Sequence, residues 1–511
     1  MAEENTKRYD VVVIGNGPNA LALSYILSGH WPYLSTRDHF NPLLKLKLDS
    51  VDMQLSLLHQ NLAFLSEGLE GRSDSPVAKL FDALLQPGTD LGMDLPSNIV
   101  WSYDQCQSVS HLVVGDQMPG GSWNGVPGHI ETLSPVSWLQ LPGYSVDEWK
   151  RSCMQEMETM KSEDCVWRIK AADVRQYYVD YIDKTGISNS LMSNMSVVSL
   201  RVLDSPQVYP ENGCCGAIQQ CTVYGVGTGC FCSQPGYPWE QEDTYLSPPT
   251  TLSIPGDYKF ELIMKRQSND MGHSLPAQQD IKVHAKHVVL AVGLGRPCHL
   301  GVQGEDLSFV FYRYPDDVQM LDEAASNDPI LVVGSGLCAA DVILMALARN
   351  CRVLHVFRRK VSDMQLKFNT LPAGAYPEYE KVRDLMHGTI IDRQYKAFEC
   401  HTLQHISSER ICTVVNNAGA IQKVKVSFAF VLIGSQSELG FLPTDLQKIG
   451  IKPSKPVSNA NPADIDVITF EVCRQPGLYA IGPIVGDNFV RFGIGGALGV
   501  ASNLIKSTTC K

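Results

Sequence analysis

Two glycine-rich turns, far apart in the chain, have the residue types and the spacing to bind a nucleotide. Both match G-x-G-x-x-A, and each separates two apolar runs. The candidate residues are Gly15, Gly17, Pro18, Asn19 and Ala20 in the first turn and Gly334, Ser335, Gly336 and Ala339 in the second. In such a turn the first glycine permits the bend, the second lets a pyrophosphate approach the backbone, and the small third residue lets helix and strand pack closely. The phosphates then lie at the positive end of a helix.

Two arginines follow the second turn at the place that distinguishes NADPH from NADH. The segment "CRVLHVF" has a strand pattern and ends in Arg358 and Arg359. An acidic residue there would bind the ribose hydroxyls of NADH, whereas guanidinium groups match the charge and geometry of a 2′-phosphate. The alternative is a solvated strand end. We expect the second turn to bind NADPH.

The acidic residue that binds the ribose is harder to place at the first turn. The segment "HWPYLSTRDHFNP", residues 30–42, lacks a strand pattern, which makes Asp38 a poor candidate. The better second strand is 109–114, "VSHLVV", which is followed by Gly115 and Asp116. Position alone makes Asp116 the candidate.

Composition argues against several classes of protein. The 511 residues suggest two or three domains. A formal net charge of −12 argues against a nucleic-acid partner and against docking on an anionic membrane. We expect no membrane span, because the sequence lacks an apolar stretch of about 20 residues, and the polar first residues do not form a secretory signal. The 15 cysteines form no regular framework, which favours free thiols in a reducing, cytoplasmic compartment.

Other chemically capable residues have simpler explanations. A cysteine cluster lies in a loop-rich segment, with spacings that fit no zinc pattern, so we expect a loop with thiols and no metal site. Its members are Cys214, Cys215, Cys221, Cys230 and Cys232. His129 could line an active site or lie on the surface. The tyrosines of "RQYYVDYI" have helical spacing and are predicted to be core residues.

The elements around these motifs predict an α/β fold with two dinucleotide-binding, Rossmann-type domains. The first domain is expected to span residues 8–326, with a mostly helical insertion at 30–108 and a loop-rich segment at 206–280. The second is expected at 327–425, and residues 426–511 return to the first. Two such domains in one chain are best explained by two dinucleotides that meet, with a flavin that takes a hydride from NADPH.

Several segments together resemble the flavin-dependent monooxygenase superfamily, whose architecture is also that of the disulfide reductases. They are "VVIGNGPNALALS", "MPGGSW", "VVLAVG", "HVFRR" and "GLYAIGPIVGDNFVRF". Within that superfamily, "LSEGLEGRSDSPVAKLFDALL" and "GPIVGDNFVRFGIGGALGV" make the sequence similar to the oxidative stress-induced growth inhibitor family. The resemblance covers residues 8–205 and 284–505.

The resemblance implies FAD at the first turn and NADPH at the second. It implies a monooxygenase cycle with peroxyflavin chemistry, in which O₂ and a nucleophilic small molecule or protein are the substrates. It also implies a role in oxidative stress and in the control of cell growth, cell death or cell division, including cytokinesis, with regulatory protein partners. The residues that match the family's flavin-side motifs are Gly120, Gly121 and Trp123 of G-G-x-W, and Gly482 and Asp487 of the C-terminal block.

Some positions depart from the superfamily pattern. Val292 replaces the threonine of an A-T-G linker, and Pro483 stands where many relatives have aspartate. Tyr312 and Arg313 stand where a His-Ser pair is usual. An asparagine that helps to hold the peroxyflavin falls here on residue 133 or 134, which are leucine and serine. These departures affect oxygenation more than cofactor binding.

Three alternatives to a monooxygenase therefore stay open. The chain could be a leaky NADPH oxidase. It could be a non-catalytic scaffold that binds partners through the insertion at 30–108. A disulfide reductase is the third alternative, but it would need a C-x-x-C motif, and the sequence contains none.

Overall fold

A computed structural model describes residues 6–156, 167–203, 258–267, 280–315, 319–325, 328–372 and 374–509. Its α-helices are α1 Pro18–Leu27, α2 Pro42–Leu48, α3 Leu62–Ser66, α4 Pro76–Leu85, α5 Val146–Glu156, α6 Ala171–Thr185, α7 Met320–Ala325, α8 Leu337–Ala348, α9 Lys367–Thr370, α10 Pro377–His387 and α11 Val490–Thr509. Its strands are β1 Lys7–Ile14, β2 His30–Leu34, β3 Ile99–Tyr103, β4 His111–Val114, β5 Leu191–Met192, β6 Met195–Val202, β7 Phe260–Arg266, β8 Ile281–Leu290, β9 Arg296–Pro297, β10 Val310–Phe311, β11 Ile330–Val333, β12 Val353–Phe357, β13 Tyr395–Glu399, β14 His401–Ile406, β15 Ile411–Asn416, β16 Ile421–Lys425, β17 Ala429–Val431, β18 Ser435–Gln436 and β19 Leu478–Ala480.

The first sheet combines strands from both ends of the chain. Its order is β5-β4-β1-β8-β7-β6, and β19 pairs with β8. Strands β5, β4, β1, β8 and β19 run parallel, and β7 and β6 add an antiparallel edge. Val11 and Val13 of β1 face one buried cluster while Val12 and Ile14 face another. Burial on both faces explains the unbroken apolar run of β1.

The second sheet lies within the middle of the chain and is parallel throughout. Its order is β10-β17-β11-β12-β13. Ile330 and Val332 of β11 face one cluster, and Leu331 and Val333 face the other. The sheet includes β10 and β17, so it extends beyond the segment 327–425 expected from the sequence. These two sheets, each with a parallel core, are the two Rossmann-type units that the sequence predicts.

The segment 30–108 contains α2, α3 and α4, and also two strands that the sequence did not predict. His30–Leu34 is a strand, contrary to our expectation, and it pairs antiparallel with Ile99–Tyr103. The pair forms a separate two-stranded sheet. Pro32 interrupts the strand pattern of this segment, because proline is rare inside strands. The prediction that 109–114 supplies the second strand of the main sheet is confirmed, because β4 pairs with β1.

The tyrosines of α6 lie in the core of the first unit. Tyr177, Tyr178 and Tyr181 of α6 are fully buried, as predicted for core residues.

No helix in the described part of the chain combines the length and the apolarity that a membrane crossing requires. The cluster from Cys214 to Cys232 lies outside the described residues. Within the described ranges, no three His, Cys, Asp or Glu side chains are grouped so that they could hold a metal ion.

Candidate functional site

The two glycine turns are built in the same way at the carboxyl ends of β1 and β11. Gly15 has φ +110°, and a Cβ atom there would lie 2.3 Å from the carbonyl oxygen of Ala291, just after β8. Gly334 has φ +125°, and a Cβ atom there would lie 2.2 Å from the carbonyl oxygen of Leu432, just after β17. Both positions therefore require glycine, for backbone conformation and for space.

Each turn leads into a helix whose first amides are free to bind an anion. Gly17 caps α1 and Gly336 caps α8, and neither helix has a side-chain cap or an acidic residue in its first turn. The first N–H groups of a helix lack partners within the helix. Ala20 and Ala339 are fully buried, as close packing of helix on strand requires. Both turns thus offer amides and a positive helix end to phosphate groups.

The G-G-x-W motif lies directly against the first turn. A Cβ atom at Gly121 would lie 3.0 Å from the Cα atom of Gly17, and the amide of Gly120 donates to the carbonyl of Asn16 at 3.1 Å. Both Gly120 and Gly121 have positive φ. Trp123 is half-buried and packs against the main core cluster of the first unit. The structure thus brings the two predicted flavin-side motifs together.

Asn19 joins the first turn to the C-terminal block. Its amide group lies between Gly482 and Gly493, where Cβ atoms would approach it to 2.2 Å and 2.4 Å. Asn19 is buried, and its Oδ1 has no hydrogen-bond partner in the described structure. Buried polar atoms are almost always paired. A hydroxyl or amide N–H of a bound ligand could donate a hydrogen bond to this unpaired oxygen next to the glycine turn.

Asp487 is a second buried group with an oxygen that lacks a donor. Ser73 donates to its Oδ1 at 2.6 Å, and its Oδ2 has no partner in the described structure. Burial raises the pKa of Asp487 to about 6, the Ser73 hydrogen bond acts in the opposite direction, and the charge of Asp74 raises it further. Pro483 lies on the same block, in the short helix Gly482–Val485. With a pKa of about 6 the carboxyl group is still mainly ionised at pH 7, so its unpaired oxygen is available to accept a hydrogen bond from a ligand group.

The two arginines after β12 differ in their surroundings. Arg359 is an exposed residue that binds Asp363 at 2.9 Å and Gln365 at 2.5 Å. Arg358 is also exposed, and no hydrogen bond or ion pair to a described residue holds its guanidinium. The pair that looked equivalent in the sequence consists of one restrained and one available cation.

Asp116, the ribose candidate at the first turn, is exposed just after β4. The preceding Gly115 has no room for a side chain, because a Cβ atom would lie 2.1 Å from the Asn16 side chain. Asn16 is itself buried and donates from Nδ2 to the carbonyl of Gln117 at 2.7 Å. An acidic residue at the strand end is therefore possible at 116 and impossible at 115.

The two units contact each other through a cluster of polar and aromatic side chains. Arg168, buried in the first unit, binds Glu378 of α10 at 2.6 Å and Glu131 of its own unit at 3.6 Å. The hydroxyl of Tyr376 donates to the carbonyl of Leu133 at 2.7 Å. The Leu133 side chain packs against the core of the second unit. Leu133, one of the two residues at which the superfamily asparagine could fall, thus takes part in the contact between the units.

Tyr312 and Arg313, which also depart from the superfamily pattern, and His129 each have contacts of their own. Tyr312 donates to Glu305 at 3.1 Å, and Arg313 donates to the carbonyl of Gly295 at 3.0 Å. His129 is exposed, and its charge acts against the burial that raises the pKa of Asp341 on α8. His129, in the first unit, therefore lies within electrostatic range of Asp341 in the second unit.

The family-specific segments contribute residues that the sequence analysis did not single out. Ser73 contacts Asp487, and Asp82 of α4 forms an ion pair with Arg491 of α11, two residues that are both buried. Trp138 lies under the Arg491 guanidinium, 4.6 Å from it. The signal in the sequence was the presence of charged residues within otherwise apolar helical segments.

Comparison with known proteins supports this architecture. Residues 250–367 match the family described as pyridine nucleotide-disulphide oxidoreductase. The chain resembles the bacillithiol disulfide reductase Bdr (YpdA) from Bacillus cereus with a TM-score of 0.55, at 12% identity, over 98% of this chain and 100% of that one. It resembles the ornithine hydroxylase (PvdA) from Pseudomonas aeruginosa with a TM-score of 0.51, at 10% identity, over 98% and 100% of the two chains. Identities this low establish the fold alone.

A much closer relative is oxidative stress-induced growth inhibitor 1 from Mus musculus. The two sequences are 37% identical over 516 aligned residues, which cover 98% of this chain and 96% of the relative. The similarity therefore includes both glycine turns, the segment 30–108 and the C-terminal block. The chain belongs to the oxidative stress-induced growth inhibitor family.

Proposed function

We propose that this protein is a flavoprotein oxidoreductase that binds FAD at the first glycine turn and NADPH at the second, and that it acts as a monooxygenase. The main support is the pair of glycine turns, each at the carboxyl end of a strand with parallel neighbours and each opening a helix without a side-chain cap. FAD would accept the hydride of NADPH and react with O₂. A nucleophilic small molecule or protein would be the substrate.

The residues of the first site fit a flavin dinucleotide. Gly15 and Gly17 leave the backbone open to a pyrophosphate, and Gly121 lets the G-G-x-W segment approach it. The unpaired oxygens of Asn19 and Asp487 are acceptors, and a flavin dinucleotide has ribityl and ribose hydroxyls to donate. These residues would bind and orient the cofactor, and the half-buried Trp123 would help to exclude water from it.

At the second site, the choice of NADPH over NADH rests on Arg358. Its guanidinium is available, and it lies just after the strand that follows α8. Forked donors and positive charge suit a 2′-phosphate. Arg359, restrained by Asp363, would add charge to the same edge.

The biological role that we propose follows from the relatives' name. A role in restraint of cell growth, in cell death or in cell division, including cytokinesis, would bring regulatory protein partners. A cytoplasmic location is part of this proposal, and it rests on the absence of a regular cysteine framework in the sequence.

A second candidate, an NADPH oxidase with little or no oxygenation, has one observation in its favour. The superfamily asparagine near the flavin falls on residue 133 or 134, which are leucine and serine here, and the Leu133 side chain packs into the second unit. Parallel assays of NADPH consumption and H₂O₂ release decide between the two candidates. A monooxygenase shows less than one H₂O₂ per NADPH once its substrate is present, whereas a ratio of one with every nucleophile tried favours the oxidase. No consumption of NADPH by flavin-loaded protein contradicts both.

A further inference from the structure

His355 is a fully buried histidine of β12 with both ring nitrogens engaged. Its Nε2 lies 2.7 Å from the carbonyl oxygen of Gly334, and its Nδ1 lies 2.7 Å from the hydroxyl of Tyr395. A carbonyl oxygen can only accept, so Nε2 carries the hydrogen and Nδ1 accepts from Tyr395. Burial lowers the pKa of His355 to about 4, so the ring is neutral near pH 7. The geometry therefore selects a single tautomer.

These bonds fix the peptide that follows Gly334. The amide of Gly334 donates to the carbonyl of Val356 at 3.0 Å, and a Cβ atom on Gly334 would lie 2.2 Å from the carbonyl oxygen of Leu432. Because a trans peptide is planar, the carbonyl of Gly334 and the N–H of Ser335 point in opposite directions. With the carbonyl held by His355, the Ser335 N–H is directed away from β12. Among the described residues it has no acceptor.

The first glycine turn lacks this arrangement. The amide of Gly15 donates to the carbonyl of Val114, as the amide of Gly334 donates to that of Val356. The residue before Val114 is Val113, which therefore takes the place of His355. Valine has no donor for a carbonyl. The histidine is thus not a requirement of the fold, since the same turn forms on a strand without it.

We propose that His355 is a positioning residue, which holds the Gly334 carbonyl and thereby presents the Ser335 amide to a phosphate of the bound nucleotide. This inference rests on the proposed function of the second turn. Tyr395 is the second member of the arrangement, because its donated hydrogen bond keeps the proton of His355 on Nε2. Neither residue needs to touch the nucleotide.

The test is the dissociation constant of NADP⁺, measured by titration calorimetry on the full-length, flavin-loaded protein. His355→Leu removes both hydrogen bonds and should weaken NADP⁺ binding about tenfold, the effect of one lost interaction of about 1.4 kcal/mol. His355→Gln can still donate to Gly334 and accept from Tyr395, so it should stay within about threefold of the wild type. Flavin content should be the same in all three proteins.

Val353→Ala is the matched control, because Val353 is a buried core residue of the same strand that lies away from the turn. It should lower the melting temperature and leave the NADP⁺ dissociation constant unchanged. Equal NADP⁺ binding by wild type and His355→Leu overturns the inference, as does a loss in Val353→Ala that equals the loss in His355→Leu. If wild-type protein does not bind NADP⁺ at all, the proposed function of the second turn fails, and the inference fails with it.

A third variant covers the case in which His355→Leu does not fold. Tyr395→Phe leaves the histidine in place and removes the donor to its Nδ1, so the proton can move away from Nε2. It should weaken NADP⁺ binding about threefold, because part of the population loses the bond to Gly334. An unchanged dissociation constant in this variant contradicts the inference.

Discussion

Asp82 and Arg491 are 409 residues apart in the sequence and form a buried, two-bond ion pair. The Nη2 of Arg491 lies 2.5 Å from Oδ2 of Asp82, and Nη1 also binds Asp90 at 3.0 Å. The pair joins α4, in the segment that interrupts the first unit, to α11 at the C-terminal end of the described chain. It therefore attaches the family-specific segment to the helix that packs on the first glycine turn.

Removing one partner of this pair should destabilise the protein strongly. Arg491→Leu leaves a buried carboxylate without its partner, which typically costs about 3–5 kcal/mol. The free energy of unfolding from urea titration measures the effect. Lys45→Met removes an exposed ion pair with Asp38 and serves as a control with little expected change. Equal effects of the two substitutions would contradict a structural role for the buried pair.

Charge introduced into either glycine turn should act on one cofactor only. Gly17→Glu places a carboxylate where the pyrophosphate of FAD would lie, so the purified variant should lack flavin absorbance. Gly336→Glu is the matched change in the second turn, where a Cβ atom would have no atom of a described residue within 4 Å beyond its chain neighbours. That variant should keep its flavin and lose NADP⁺ binding. Loss of flavin in both variants would show general unfolding instead of site-specific repulsion.

The two arginines after β12 should contribute unequally to NADPH specificity. Arg358→Ala should raise KM for NADPH about 10- to 100-fold, the value of one charge-assisted interaction of about 1.5–3 kcal/mol, and leave KM for NADH unchanged. Arg359→Ala should have a smaller effect, because Asp363 and Gln365 already hold that guanidinium. Equal losses for NADPH and NADH in Arg358→Ala would rule out the 2′-phosphate assignment.

The stability of the flavin-free protein should depend on the ionisation of Asp487. Its pKa is raised to about 6 in the folded state and is about 3.9 when the chain is unfolded. Between these values the folded state binds more protons than the unfolded state, so stability falls as pH rises from about 4 to about 6.

Asp487→Asn keeps an acceptor for Ser73 and cannot ionise. At pH 7 it should therefore be more stable than the wild type by on the order of 3 kcal/mol, with the difference disappearing near pH 4. Urea titrations at several pH values provide the measurement. A difference that does not vary with pH would show that the carboxyl group does not titrate in this range.

The sequence predicted those elements whose local pattern of apolar residues matches their place in the folded structure. The apolar run before Gly15 and the strand at 109–114 followed from burial on both faces of a parallel sheet. The strand at His30 was missed because Pro32 removes one backbone donor and because its partner, Ile99–Tyr103, lies at the far end of the segment 30–108. Strands that lie so far apart in the sequence can pair without any pattern in the residues between them that would predict the pairing.

The candidate sites, too, were predictable only in part. The glycine positions follow from backbone rules that a sequence states directly. The unequal states of Arg358 and Arg359, and the contact of Ser73 with Asp487, depend on side chains that only the fold brings together. His355 looked like one more residue of an apolar strand, and its hydrogen bond to Gly334 depends on the register between β11 and β12.

The proposed hydride transfer from NADPH to a bound flavin is tested most directly by the absorbance spectrum of purified protein, recorded before and after NADPH is added without oxygen. We expect flavin bands that bleach with NADPH, bleach far less with an equal concentration of NADH, and return when air is admitted. Flavin bands that ignore both nucleotides would contradict the proposed hydride transfer. Protein that shows no flavin even after incubation with FAD would contradict the assignment of the first turn.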